Sequence, residues 1–376
     1  MVSFYVIMFL VIKVRGLYIH IPFCKRLCSF CDFPKRINQK EEVISNYLDK
    51  LIKEINNLEE TSIDTIYIGG GTPNSLSLEQ LDNLLASIKN KGFNQICEYT
   101  IETNYELITL EQIKLFKKYN INRISIGVQT LNKEIANDIN RYCNYDELEQ
   151  KIKLLKENGI TNINLDFIFG LPNETITDIR HNLKCIKKLD VSHISYYSLI
   201  LEDKTVLSHK IEHNITVLPS DDTTADMYKI IVDELKKMGF HHYEISNFAK
   251  KGFESKHNML YWNLDEYIGL GVSGASFYKN KRTYNSKLLI NYMFDNDIIK
   301  EDSTLEILKG EYFWLGLRLI DGVSLTKYKN MFNSNPMKDF KIEELIEKGL
   351  LEINDDYLKL TELGLEHGNY VYAYFI

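Results

Sequence analysis

Cysteine is scarce in this chain, with 6 among 376 residues, and that excludes a disulfide-stapled scaffold. Basic excess is lacking too. Forty-five Lys and Arg face 52 Asp and Glu, for a formal net charge of -7. A general nucleic-acid binder carries a basic surface, so no nucleic-acid partner is expected. No apolar run reaches the ~20 residues of a transmembrane helix. The leader "MVSFYVIMFLVIKV" (1–14) falls short of that length. It also lacks a basic start and a small-residue cleavage site, so no secretory signal is expected. It reads as a strand or ragged extension entering "GLYIHI", with Met8 as a candidate for a later start. The glycines of "YIGGGTPNSL" (67–76) are not followed by Lys-Ser/Thr, so they form no Walker A loop, and they match no dinucleotide fingerprint.

What is present is a strand–helix rhythm. Strand-like runs stand at 17–21, 65–70, 96–102, 123–128, 162–169 and 191–199. Between them lie segments with apolar residues at i, i+3 and i+4, such as "VISNYLDKLIKEI". Ser77 with Gln80 and Thr109 with Gln112 read as capping boxes at helix starts. Such a repeat predicts an α/β fold with a parallel sheet and helices outside it. Whether the sheet is open or closed does not follow from pattern alone. After about residue 205 the rhythm changes, and from about 303 the chain reads as mostly helical. The tail "IEELIEKGLLEINDDYLKLTELGLEHG" reads as helix, hairpin and helix, a winged-helix-like unit with a packing or lid role.

Half of the cysteines crowd into one loop. Cys24, Cys28 and Cys31 are spaced C-x3-C-x2-C after the first strand. On spacing, three readings stay open: a cubane 4Fe-4S cluster with one iron left free, a zinc site, and plain core thiols. Structural zinc wants four ligands, and only His20 stands near enough in sequence to be the fourth. The glycines of 69–71 permit close backbone approach to a ligand. Strand ends also carry polar groups: Glu102, Gln129, and Asp166 ahead of "IFGLP". In a barrel these would converge over one end. Cys97, Cys143 and Cys185 read as isolated thiols.

These motifs together resemble the radical S-adenosylmethionine superfamily, and within it the oxygen-independent coproporphyrinogen III oxidase-like branch. The resemblance is carried by "YIHIPFCKRLCSFCDF", "GGGTP", "TIETN", "RISIGVQTLNKEIANDINR", "NLDFIFGLP" and "HISYYSL", and covers roughly residues 16–325. It implies a partial (β/α)6 TIM-like barrel with a smaller, mainly helical C-terminal domain. The implied division is 1–205 for the barrel with the cluster and S-adenosylmethionine site, 206–300 for a barrel-completing and connecting region, and 301–376 for the C-terminal domain. Cys24, Cys28 and Cys31 would ligate the 4Fe-4S cluster. Gly70, Gly71, Thr72 and Pro73 would meet the methionyl part of S-adenosylmethionine. Glu102, Gln129 and Asp166 would hold the ribose and its neighbourhood, Arg141 the carboxylate, and Tyr18 would stack near the site.

Within the branch, the coproporphyrinogen dehydrogenases carry a fourth cysteine two residues after the third, and Phe33 stands there in this chain. They also have a longer N-terminal region. Both departures resemble the heme-chaperone relatives, as does "HNMLYW" (257–262). This implies heme as cargo, with His257 as a heme-binding candidate and Lys250, Lys251 and Lys256 placed to meet propionates. No Cys-x-x-Cys-His motif exists for covalent attachment. The further expectations are an unidentified heme acceptor such as a membrane-bound respiratory protein, a monomeric or homodimeric cytoplasmic protein peripheral to the membrane when it delivers heme, and no coproporphyrinogen dehydrogenase activity.

Overall fold

The computed structural model describes residues 15–37, 39–93 and 95–376. The apolar leader lies outside them. The first half alternates as the sequence pattern predicts. Its strands are β1 (Arg15–Ile21), β2 (Phe23–Cys24), β3 (Arg36–Ile37), β4 (Thr65–Gly70), β5 (Glu98–Asn104), β6 (Arg123–Gln129), β7 (Asn162–Phe169) and β8 (His193–Ser198). Its helices are α1 (Glu41–Asn57), α2 (Leu78–Asn90), α3 (Leu110–Lys118), α4 (Lys133–Asp138), α5 (Tyr145–Glu157) and α6 (Ile176–Leu189).

Next come α7 (Val206–Glu212), α8 (Asp221–Lys237), β9 (His241–Glu244), β10 (Asn247–Ala249), α9 (Lys256–Trp262), β11 (Glu266–Leu270), β12 (Ala275–Tyr278), β13 (Lys281–Tyr284), α10 (Leu289–Met293) and β14 (Ile299–Asp302). Twelve strands form one sheet in the order β14-β13-β12-β11-β1-β4-β5-β6-β7-β8-β10-β9. From β11 to β8 all neighbours run parallel. The strands outside them are antiparallel. Among the described residues β9 and β14 do not pair, so the partial barrel is open. The sequence pattern finds six parallel strands. The seventh, β11, lies late in the chain and pairs with β1 across about 250 residues, a contact that no local periodicity reveals.

The strands alternate sharply between their two faces. Leu17, Ile19 and Ile21, Ile66 and Ile68, Ile124 and Ile126, and Ile163, Leu165 and Phe167 are buried in one apolar core with the helices. The positions between them are polar: His20, Tyr67, Glu102, Ser125, Asp166 and His193. Parallel strands covered on both faces usually read as unbroken apolar runs. Here the concave face is polar, which is what a ligand-holding lumen requires.

Helix starts are fixed by caps. Ser77 and Gln80 form the expected box at α2. Thr109 accepts from the Gln112 amide, but the Gln112 side chain donates to the Asn74 carbonyl at 2.9 Å instead of closing the box. The pattern reading missed a complete box, Thr175 with Asp178 at α6.

The chain ends with α11 (Leu305–Gly316), β15 (Val323–Ser324), α12 (Leu325–Phe332), α13 (Pro336–Asp339), α14 (Ile342–Glu347), β16 (Leu351–Asn354), β17 (Tyr357–Leu360), α15 (Glu362–Glu366) and α16 (Gly368–Ala373). It packs a second core around Phe313, Tyr328, Leu345 and Phe375. This unit covers the edge of β9. Glu244 bridges Leu319, and the Ile245 amide donates to the Arg318 carbonyl at 3.1 Å. The Arg318 guanidinium lies 5.2 Å from the Trp262 ring centre and 5.4 Å from that of Tyr372. No helix among the described residues is long and apolar enough to cross a membrane.

Candidate functional site

The cysteine loop is stitched down on two sides. On one side, Cys24 sits in β2, which pairs with β3. The Gly71 amide donates to the Ile21 carbonyl at 2.8 Å and the Thr72 amide to the Phe23 carbonyl at 2.9 Å. The Thr72 hydroxyl lies 3.5 Å from the Cys24 sulfur. On the other side, the Ser29 amide donates to the Ile139 carbonyl at 3.0 Å and the Asn140 side chain to the Leu27 carbonyl at 2.7 Å. Phe30 packs against Ile135, Ile139 and Leu171. His20 ties β1 to the end of the loop. The Pro34 carbonyl can only accept, so His20 Nε2 carries the proton at 3.1 Å, and Nδ1 accepts from the Tyr18 hydroxyl at 3.0 Å. Burial pushes His20 down to about 4, so it is neutral here.

The three cysteines open onto a cavity of about 570 Å³ at the C-terminal ends of the strands. Gly70, Gly71, Thr72, Glu102, Gln129, Arg141 and Asp166 line the same space. Glu102 accepts from the Tyr67 hydroxyl at 2.7 Å and the Gly70 amide at 2.9 Å. Burial raises its carboxyl to about 7, and those two donors oppose the rise. Asp166 accepts from the Ser125 hydroxyl and the Asn164 amide, both at 2.8 Å, and burial raises it as well. Gln129 reaches the cavity from a left-handed backbone with φ +70°, at an irregularity in the β6–β7 register. Arg141 donates to the Asn104 side chain at 2.6 Å and the Gly127 carbonyl at 2.5 Å, and lies 3.8 Å from the Cys28 sulfur.

Three of the residues singled out from the sequence do not line this cavity. Pro73 is buried in the short turn behind it. Tyr18 stacks on Tyr67, 6.1 Å between ring centres, one layer beneath the floor. His257 sits at the opposite end of the barrel with no exposure. Its Nδ1 lies 2.8 Å from the Thr65 hydroxyl and its Nε2 2.9 Å from the Tyr261 hydroxyl. Both ring nitrogens are thus occupied, and as placed His257 presents none to a heme iron. A second cavity, of about 620 Å³, lies near that end, walled by Tyr243, Met259, Trp262, Tyr312, Lys327 and Tyr357. So "HNMLYW" turns Met259 and Trp262 to this wall and its histidine to the barrel. The two cavities are similar in volume, and the thiols, carboxylates and guanidinium gathered in the first mark it as the chemical site.

Asn104 and Tyr67 are site residues that the sequence reading missed. The signal was available: Asn104 follows Glu102 by two positions, so strand alternation puts both on the lumen face.

The residues fit the groups implied by the sequence. A Cβ on Gly71 would stand 3.0 Å from the Cys24 sulfur, so the glycine keeps space beside the thiol. The buried Nε of Arg141 finds no partner among the described residues, a donor left for an anionic ligand. Among those residues no three His, Cys, Asp or Glu side chains converge as a single ion requires. Thiolates that each take a separate iron of a cubane need no such convergence.

An open parallel barrel with a three-cysteine loop after its first strand and a polar lumen defines a protein of the radical S-adenosylmethionine class. Residues 18–186 match the Radical SAM superfamily, and residues 310–367 match the HemN C-terminal domain. The chain is 36% identical to the heme chaperone HemW of Lactococcus lactis subsp. lactis (strain IL1403), over 97% of this chain and 98% of that protein. It is 35% identical to the heme chaperone HemW of Bacillus subtilis (strain 168), over 96% and 99% of the two chains. Among solved structures it is similar to the coproporphyrinogen III oxidase HemN of Escherichia coli, with a TM-score of 0.83 and 21% identity over 96% and 90% of the chains. That last likeness is one of fold. The chain belongs to the HemW family of the radical SAM superfamily.

Proposed function

We propose that this protein is a heme chaperone that binds heme and passes it to an acceptor protein, with a 4Fe-4S cluster on Cys24, Cys28 and Cys31 and S-adenosylmethionine on the open iron. The observation that carries the reading is near-full-length similarity to proteins named heme chaperone HemW. The cysteine loop agrees with it. Phe33, where a decarboxylating relative has a further thiol, is 61% exposed at the rim of the cavity. When bound, the cluster supplies one-electron reducing chemistry. The protein's own contribution is positional. Arg141 offers its free Nε–H to the carboxylate of S-adenosylmethionine. Glu102 and Asp166 offer acceptors to the ribose hydroxyls. Gly70 and Gly71 let the ligand approach the backbone.

One anaerobic preparation, reconstituted with iron and sulfide, tests the reading. Heme binding, seen as a Soret band that saturates, is expected, together with no conversion of coproporphyrinogen III. Formation of protoporphyrinogen IX would overturn the chaperone reading in favour of the dehydrogenase. Cys28→Ser should lose the visible absorbance of the cluster and most of its iron. An unchanged spectrum and iron content would remove the ligand assignment.

A further inference from the structure

A buried hydrogen-bond chain runs the length of the barrel lumen and ends on Asp166. Each of its directions can be assigned from one fixed point. Both Asp166 oxygens accept, Oδ2 from the Ser125 hydroxyl and Oδ1 from the Asn164 group 2.8 Å away, which is therefore the amide nitrogen. The second hydrogen of that nitrogen goes to the Ser125 hydroxyl at 2.7 Å, which itself donates to Asp166 at 2.8 Å. The Asn164 carbonyl oxygen therefore faces His193, 2.6 Å from Nδ1. Nδ1 must carry the proton, which leaves Nε2 bare to accept from the Tyr243 hydroxyl at 2.8 Å. The Tyr243 oxygen in turn accepts from the Ser255 amide at 3.2 Å. From Ser255 to Asp166 every donor points the same way.

His193 and Asn164 are 0% and 2% exposed. Burial, helped by the nearby Arg123 cation, holds His193 far below its ordinary range, so the ring stays neutral. Rotation of the Asn164 amide would break its bonds to Ser125 and Asp166 and present its oxygen to the carboxylate. At the other end of the amide, His193 at 2.6 Å and the Ser195 hydroxyl at 3.2 Å add donors that only the unrotated oxygen can accept. We propose that His193 is a positioning residue that locks the Asn164 amide, so that Asp166 faces the cysteine cavity with an N–H donor fixed on it. The proposal rests on the reading that S-adenosylmethionine lies against Asp166. Other groups that act on this carboxylate are Arg123 on β6, Glu102 on β5, Tyr67 on β4 and Tyr197 on β8. The Ser125 and Ser195 hydroxyls also hydrogen-bond to it.

The test is calorimetric binding of S-adenosylmethionine to the reconstituted protein across pH, for wild type, His193→Phe, His193→Gln and Asp166→Asn, with cluster absorbance as the check on folding. His193→Phe should weaken binding about tenfold near neutrality and move its pH midpoint up by about one unit. His193→Gln keeps an N–H donor for Asn164 and should restore the wild-type profile. A purely structural role would lower cluster content and leave the midpoint in place. Wild-type affinity and midpoint in His193→Phe, alongside weakened binding in Asp166→Asn, would overturn the proposal and spare the underlying reading. Wild-type binding in Asp166→Asn would overturn both. If His193→Phe does not fold, ¹⁵N NMR of the wild-type histidines decides. A pH-independent Nδ1–H tautomer is expected for His193, and an Nε2–H tautomer would overturn the assignment.

Discussion

At the scale of single residues, the site depends on atoms that are absent as much as on those present. A Cβ on Gly71 would come within 2.9 Å of the Ile21 carbonyl oxygen and the Pro22 carbonyl carbon, and within 3.0 Å of the Cys24 sulfur. Two of these neighbours are backbone and cannot swing aside. Gly71→Ala should therefore displace the start of the cysteine loop and lower cluster content after reconstitution by more than half, as read by iron per chain and visible absorbance. Normal loading would show that the loop adapts. Glu102 gives a pH prediction. Its carboxyl is raised from 4.5 to about 7, with burial as the main cause. The unfolded chain loses this proton first as pH rises, so the stability it contributes is full below about 4.5 and is lost by about 7. Glu102→Gln should flatten that fall in urea denaturation, whereas parallel pH profiles for variant and wild type would discount the shift. The three thiols were legible from the sequence because their spacing is local. The Asn104 grip on Arg141 was not, since it joins positions 37 residues apart.

At the scale of elements, strand period and helix caps were mostly readable. All six runs predicted in the first half became strands close to their expected limits. The docking of α9 was not readable, because its N-terminal amides are capped from another element. The Glu98 carboxylate on β5 accepts from the Lys256 and His257 amides, each at 2.9 Å, across nearly 160 residues. A carboxylate there satisfies two orphan N–H groups and meets the positive end of the helix. Glu98→Ala should cost about 1–2 kcal/mol in urea denaturation. It should also speed amide exchange in the first turn of α9. A loss near zero would mean that packing of Leu260 and His257 alone seats the helix. The same docking fixes where the "HNMLYW" histidine sits, which its sequence alone does not show. His257 is the second residue of the helix, and its ring lies in the barrel between Thr65 and Tyr261.

At the scale of the molecule, two apolar cores meet across the edge of β9, where the C-terminal unit supplies the 318–320 segment. A bare strand edge beside an apolar wall is a template for association. Removing residues from 303 onward should thus leave a chain that aggregates or elutes well above monomer size in gel filtration, with β9 as the exposed edge. A monodisperse monomer would show that the barrel stands alone. The sheet's second flank follows the same logic. β11 to β14 extend it beyond β1, and Arg15 secures that junction by pairing with Glu60 at 2.7 Å and Glu266 at 3.0 Å.

The sequence by itself determined the α/β rhythm, the cysteine loop, the phenylalanine in place of a further thiol, and the polar strand ends that point to the superfamily. Each is written within a span of a few residues, where rotation per residue and side-chain chemistry suffice. Tertiary structure alone decided that the barrel stays open, that β11 joins β1, that His257 is sealed, and that Asn164, His193 and Tyr243 form one directed chain into Asp166. Those outcomes depend on contacts between distant segments, whose closure is set by the packing of the whole chain and leaves no periodic mark in any part of it.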